Sequence, residues 1–211
     1  MLVDGQPAGK PSQPVQADAE LALAETGPRY VSRGAYKLLA ALDHWAIGPA
    51  DKVALDVGAS TGGFTQVLLQ RGARRVYAID VGYGQLHYTL RNDPRVVSLE
   101  RTNVRYLAQL PEPVELAVAD VSFISLRLAL PPVFRLLRAG APLIALVKPQ
   151  FEAGRAHVAR GGVVRDPAVH QQVLRDLAEW SSTQQWRLVD TLPSPIRGPA
   201  GNIEFLSLWT G

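Results

Sequence analysis

LDVGASTGGF, residues 55–64, decides how the rest of the chain is read. Within it Gly58-Ala59-Ser60-Thr61-Gly62 fits the G-x-S-x-G elbow that presents a nucleophilic serine between a strand and a helix. The same residues also read as a glycine-rich turn that cradles a nucleotide-like cofactor. The choice depends on where the turn falls in the sheet and on the residues downstream of it.

Outward from this turn, short apolar runs alternate with helix-like segments. Strands are expected at 52–57, 75–80, 95–100, 115–120 and 142–147, and helices at 63–71, 84–91, 125–138 and 167–183. Such alternation predicts a parallel sheet with helices on both faces. The last two runs, RLVDTLP (187–193) and IEFLSLW (203–209), have no helix between them and read as an antiparallel hairpin at the end of the sheet, joined by SPIRGPAG. Upstream, RGAYKLLAALDHWAI places Tyr36, Leu38, Leu39, Leu42 and Trp45 at helical spacing, stopped by Gly48-Pro49. Residues 1–28, rich in Pro, Gly, Gln and Ala with one short strand candidate at 20–23, read as an appendage to a domain spanning 29–211.

The glycine turn therefore follows the first strand of the sheet. A hydrolase elbow follows a strand deep in the sheet and takes an oxyanion donor from an earlier strand's loop, for which there is little chain before residue 53. Asp120 could serve as a triad acid, but His157 and His170 precede the last two strands instead of following a final one. Ser60 reads as part of a turn. Asp56 stands at the end of strand one, and Gly58, Gly62 and Gly63 let the backbone approach a ligand as Phe64 opens the next helix. Asp80 ends strand two roughly 20 residues on, the spacing at which a carboxylate reaches a ribose diol. An acid beside the turn would repel a pyrophosphate and suits the cationic amino-acid end of S-adenosylmethionine. The expected fold is a Rossmann-like α/β methyltransferase with a mostly parallel seven-stranded sheet and an antiparallel last strand. The plainer alternative is that the glycines serve only the turn and the acids only helix caps.

Composition excludes several classes. The chain has 211 residues, 47% hydrophobic and 19% charged, as one globular domain with a sizeable core requires. It has no cysteine, so disulfides, thiolate nucleophiles and cysteine metal sites are out. His44, His87, His157 and His170 form no H-E-x-x-H pair, and no metal is expected. A net charge of +3 permits a polyanionic partner. No apolar run approaches a bilayer span, and MLVDGQPAGKP is no signal peptide, so a cytoplasmic protein without membrane association is expected.

Six ordered motifs, YVSRGAYKLLAAL, LDVGASTGGFT, YAIDVGYGQL, DVSFISL, LVKPQFE and GNIEF, resemble the TlyA family of ribosomal RNA 2′-O-ribose methyltransferases, relatives of the FtsJ group that are often labelled haemolysins. The resemblance runs from about residue 29 to residue 211. It implies S-adenosylmethionine as cofactor, ribosomal RNA or ribosomal subunits as partner, and a cytidine target. Family members carry an S4-type RNA-binding module ahead of this domain, and residues 3–15 resemble only its tail. A truncated start, or a different route to RNA, is the corresponding expectation.

The resemblance also implies a catalytic Lys-Asp-Lys-Glu set, matched by Lys37, Asp120, Lys148 and Glu204. The sheet reading brings Asp120, Lys148 and Glu204 to strand ends at the carboxyl-end crevice, with Lys37 arriving on the first helix. Lys148 is the candidate base for a ribose 2′-hydroxyl. A second cation, Lys37, favours its neutral form, whereas the two carboxylates favour the charged one. Two plain ion pairs at strand ends are the alternative. Asp120 also borders the expected cofactor site, where Asn103 reads either as an adenine contact or as a helix N-cap, and Tyr83 and Gln85 as lining or packing. Arg29, Arg33, Arg155, Arg160 and Arg165 are the candidate RNA contacts, the last three on a loop at 149–166 that suits a lid ordering on phosphate or a solvated surface. A non-catalytic RNA- or cofactor-binding module, a small-molecule methyltransferase and a membrane-active haemolysin are the competing functions.

Overall fold

The computed structural model describes residues 2–10, 13–22 and 30–211. Near the N-terminus β1 (Leu2–Val3) pairs antiparallel with β2 (Gln6–Pro7) and β3 (Leu21–Ala22). Asp4 and Gly5 turn the first pair with φ of 48° and 78°. The strand expected at 20–23 is β3. Residue 23 and Arg29 lie outside the described residues.

The main sheet comprises β4 (Val53–Val57), β5 (Arg75–Ile79), β6 (Val96–Leu99), β7 (Leu116–Ala119), β8 (Leu143–Val147), β9 (Arg187–Pro193) and β10 (Phe205–Thr210), in the order β6-β5-β4-β7-β8-β10-β9. Strands β6 to β8 across the sheet pair in parallel, whereas β10 pairs antiparallel with both β8 and β9. The expected terminal hairpin is present. Its second strand is inserted between β8 and β9, which leaves β9 at the edge.

Both faces are covered, and strand parity assigns each residue to a side. Ala54, Ile144, Leu146 and Leu206 face Leu38, Leu42, Val67 and Leu68 of α1 (Gly34–His44) and α2 (Gly63–Gln70). Leu55, Tyr77, Leu143 and Trp209 face Leu130, Val133, Val173 and Leu177 of α4 (Leu126–Leu136) and α6 (Pro167–Thr183). Each fully buried leucine, isoleucine or valine among them contributes about 1.5–3 kcal/mol. The near-continuous apolar strands of the sequence are thus explained by helices on both sides.

Three expectations change. The helix expected at 84–91 is only α3 (Tyr88–Arg91), because Gly84 sits at φ 67° and His87 caps the helix, accepting from Thr89 N. The segment 149–166, read as a loop, is built: α5 (Pro149–Glu152), a 3₁₀ turn at Arg155–His157, and a small hairpin closed by an Ala159–Val163 bridge. Glu204 stands just before β10 instead of beginning it. Among the described residues no helix is long and apolar enough to cross a membrane, and no group of three or more His, Asp or Glu could hold a metal ion.

Candidate active site

Strand order reverses between β5 and β7 on either side of β4, so the carboxyl ends of β4 and β7 part to form the crevice where open α/β sheets bind ligands. The glycine turn crosses this point. At Gly58, φ is 81° and a Cβ would stand 2.6 Å from the Asp120 carbonyl oxygen, so any side chain would force the β4 and β7 ends apart. Gly62, at φ 97°, has Leu86 and Leu90 where its Cβ would go, and Gly63 has Ser32 there. The last two glycines thus let the turn pack on its own protein. Gly63 and Phe64 still line a cavity at the turn, which Gly62 does not.

Asp80, just after β5, accepts from Ser60 N at 2.8 Å and from Gly82 N at 2.7 Å, pinning the turn to the next strand. Ser60 itself has φ 48°, and its hydroxyl lies 3.4 Å from Gln85 Oε1 with no histidine bonded to it. It is a turn residue, not an activated nucleophile. Asp56 departs from its expected place at the ligand. It is fully buried, points between β4 and α2, and accepts from Thr65 Oγ1 at 2.7 Å while its Oδ1 has no hydrogen-bond partner. Burial, with the Asp120 and Asp80 charges adding to it against the Thr65 bond, raises its pKa to about 7.

Two cavities meet at the turn. The larger, about 780 Å³, is lined by Gly58, Ser60, Asp80, Gln85, Asn103 and residues 120–125, with Leu128 and Ala129. The smaller, about 230 Å³, is lined by Ser32, Arg33, Lys37, Gly63, Phe64 and, from the loop after β9, Arg197 and Pro199. Gly58, Ser60 and Asp120 border both. Asn103 caps its own 3₁₀ turn, its Oδ1 accepting from Arg105 N at 3.1 Å, and still faces the larger cavity. The N-cap reading is thus observed, and the place of Asn103 on the cavity wall is compatible with the adenine one. Tyr83 is exposed and lies under the Arg101 guanidinium, 4.3 Å from its ring centroid, rather than in either cavity.

At the junction four charges alternate. Glu204 Oε2 accepts from Lys37 Nζ at 2.7 Å, Lys37 Nζ lies 3.6 Å from Asp120 Oδ2, and Asp120 Oδ1 lies 2.7 Å from Lys148 Nζ. The last contact is an ion pair and not a well-angled hydrogen bond. Lys148 Nζ donates to Ser122 Oγ at 2.7 Å. The chain of charges is neutral as a whole, and Lys37, Lys148 and Glu204 are buried. Two lysines so placed require partners, because an unpaired buried ammonium costs several kcal/mol. Sequence reasoning missed Ser122 and its neighbour Phe123. The latter is 91% exposed at φ 64°, with its ring 5.3 Å from that of Phe151. A large apolar side chain held in the left-handed region at a cleft mouth is visible only once the backbone is known.

The candidate arginines separate. Arg33 lines the smaller cavity beside Lys37. Arg155, Arg160 and Arg165 are exposed on the built segment after β8 and line neither cavity.

The model of the FtsJ-like methyltransferase family matches residues 30–210. The 16S/23S rRNA (cytidine-2′-O)-methyltransferase TlyA of Mycobacterium tuberculosis is 49% identical over 212 aligned residues, covering 98% of this chain and 78% of the relative. Among solved structures, a candidate hemolysin from Lactococcus lactis superposes with a TM-score of 0.83 at 44% identity, covering 86% of this chain and 88% of the other. One from Streptococcus thermophilus gives 0.84 at 45%, covering 90% and 70%.

Proposed function

Because the chain belongs to the FtsJ-like methyltransferase family, we propose that it transfers the methyl group of S-adenosylmethionine to a ribose 2′-hydroxyl of ribosomal RNA, at a cytidine. A ribosomal substrate places this work in the cytoplasm. The observation that carries the reading is the neutral chain Glu204–Lys37–Asp120–Lys148 at the junction of two cavities.

The residues present suit the cofactor. The larger cavity would take the adenosyl group, with Asp80 to hold the ribose and Asn103 the adenine edge, and the smaller would take the amino-acid end beside Gly58, Gly63 and Phe64. Asp56 lies behind the turn, buried against α2, and lines neither cavity. S-adenosylmethionine, when bound, would supply the electrophilic methyl. Holding the 2′-hydroxyl in line with that methyl accounts for much of the acceleration. Lys148 takes the hydroxyl proton. Of the two lysines it touches one carboxylate and one hydroxyl, whereas Lys37 lies between two carboxylates and orients Asp120. Arg33 and Arg197 at the mouth, with Arg155, Arg160 and Arg165 beyond it, position the phosphates. Phe123 offers an exposed ring to an unstacked base.

Incubation with tritiated S-adenosylmethionine and separated ribosomal subunits, with mapping of the 2′-O-methyl groups formed, tests the reading. Label at a cytidine ribose is expected. A folded protein that binds the cofactor yet labels neither subunit would sink it.

A further inference from the structure

The GNIEF motif contains a residue that the reaction does not use. Asn202 is 2% exposed, two positions before Glu204. Its Oδ1 accepts from Val164 N at 3.0 Å and its Nδ2 donates to Gly162 O at 2.8 Å. The side-chain amide thus does what a neighbouring β-strand would do, offering one donor and one acceptor to the segment 162–164. That segment is one arm of the hairpin closed by Ala159 and Val163, whose turn includes Gly161 and Gly162 at φ 92° and 76°. Arg160 stands at its tip and Arg165 at its far end. From the other side, buried His170 of α6 places Nε2 3.0 Å from Val164 O and packs its ring edge-on to Phe205, the residue after Glu204. The Asn202 carbonyl accepts from Gly198 N at 3.0 Å, and the Glu204 carbonyl accepts from Ser194 N at 2.8 Å, which closes the loop that carries Arg197.

We propose that Asn202 is a positioning residue that locks the arginine-bearing hairpin onto the loop holding Arg197 and Glu204, so that RNA docking and the catalytic charge chain share one frame. This rests on the proposed action on RNA. Asparagine is required because aspartate would set a carboxylate against the Gly162 carbonyl, and alanine would take the partner from the N–H of buried Val164 and free the Gly162 carbonyl from the loop.

The test is a double-mutant cycle with Arg160, read as affinity for isolated large- and small-subunit rRNA and as single-turnover methyl transfer. Asn202→Ala is expected to weaken rRNA binding on the order of 10-fold and raise KM, with the rate at saturating rRNA held within about 3-fold. Arg160→Ala is expected to weaken binding about 5-fold in the wild type and less than about 2-fold in Asn202→Ala, because the hairpin no longer delivers that arginine. Equal factors in both backgrounds would show that Asn202 does not act through the hairpin, and wild-type binding by Asn202→Ala would dispose of the latch altogether. If alanine prevents folding, Asn202→Asp keeps the acceptor for Val164 N, and the same cycle is decided on it. A wild-type protein that binds no rRNA refutes the RNA reading first and this inference with it.

Discussion

A single methyl group is enough to test the glycine turn. Gly58→Ala must bring a Cβ against the Asp120 carbonyl at a left-handed φ, and the main-chain obstacle cannot swing aside. A loss of about 2–4 kcal/mol of stability is expected, with weakened cofactor binding, by thermal melting and calorimetry. At the reacting centre, Lys148→Ala should lower the single-turnover rate on the order of 10²–10⁴-fold with cofactor affinity nearly intact. Lys148→Arg should not restore the rate, because a guanidinium stays protonated; an active arginine variant would leave alignment alone as the mechanism. Asp56 makes a pH prediction. The native state keeps its proton up to about pH 7, whereas the unfolded chain gives it up near the ordinary value of 3.8. Between those values the native state binds more protons, so the contribution is complete below the lower value and is lost as pH rises through the upper one. Asp56→Asn keeps the Thr65 bond and cannot ionise, so its advantage over wild type should grow from pH 5 to pH 8, by at most about 1.4 kcal/mol per pH unit. Parallel melting curves across that range would rule the shift out. Lys37, Asp120, Lys148 and Glu204 were legible through the family resemblance, to which the sheet reading added that the last three fall at strand ends. The burial of Asp56 was not: in a strand covered on both faces, sequence alone does not say which helix a side chain meets.

Among the elements, α5 holds the junction together through Glu152. Its Oε1 accepts from Leu126 N at 2.7 Å and its Oε2 from Ser125 Oγ at 2.6 Å, fixing the first turn of α4 to the helix that follows Lys148. Burial raises the Glu152 pKa above its ordinary value, while the Ser125 and Leu126 bonds pull the other way by favouring the carboxylate. The segment 120–125 lines the larger cavity and includes Ser122, the partner of Lys148. Glu152→Ala should therefore cost about 2–4 kcal/mol and weaken cofactor binding, while Glu152→Gln keeps an acceptor for Leu126 N and should recover much of both. Equal losses in the two variants would show that the carboxylate charge, and not the pair of bonds, is what holds α4. Strands and long helices were read correctly from apolar periodicity. The short elements were misjudged, α3 drawn too long and α5 missed, because each has four residues, makes less than two turns and carries no period to detect.

For the molecule as a whole, net charge says little, since +3 on 211 residues is a weak field. Distribution matters more, with Arg155, Arg160 and Arg165 exposed along one segment beside the cleft. Replacing Arg160 and Arg165 together should reduce the salt dependence of rRNA binding by about 1–2 in the log–log slope, as loss of two phosphate contacts demands; an unchanged slope would remove both from the interface. The sheet's composition and the pairing of its last two strands were legible, but the insertion of β10 between β8 and β9 was not, because adjacency in sequence does not reveal which side of a strand its partner takes. That insertion governs how the protein comes into being. The strand of the sheet that is synthesised latest completes its interior, and Glu204 immediately precedes it. Until β10 leaves the ribosome, β8 and β9 present unpaired edges to one another and the cleft lacks one of its four charges. A chain stopped before β10 is therefore expected to lack methyl transfer, if Glu204 acts as proposed, and to expose strand edges that can pair with other chains.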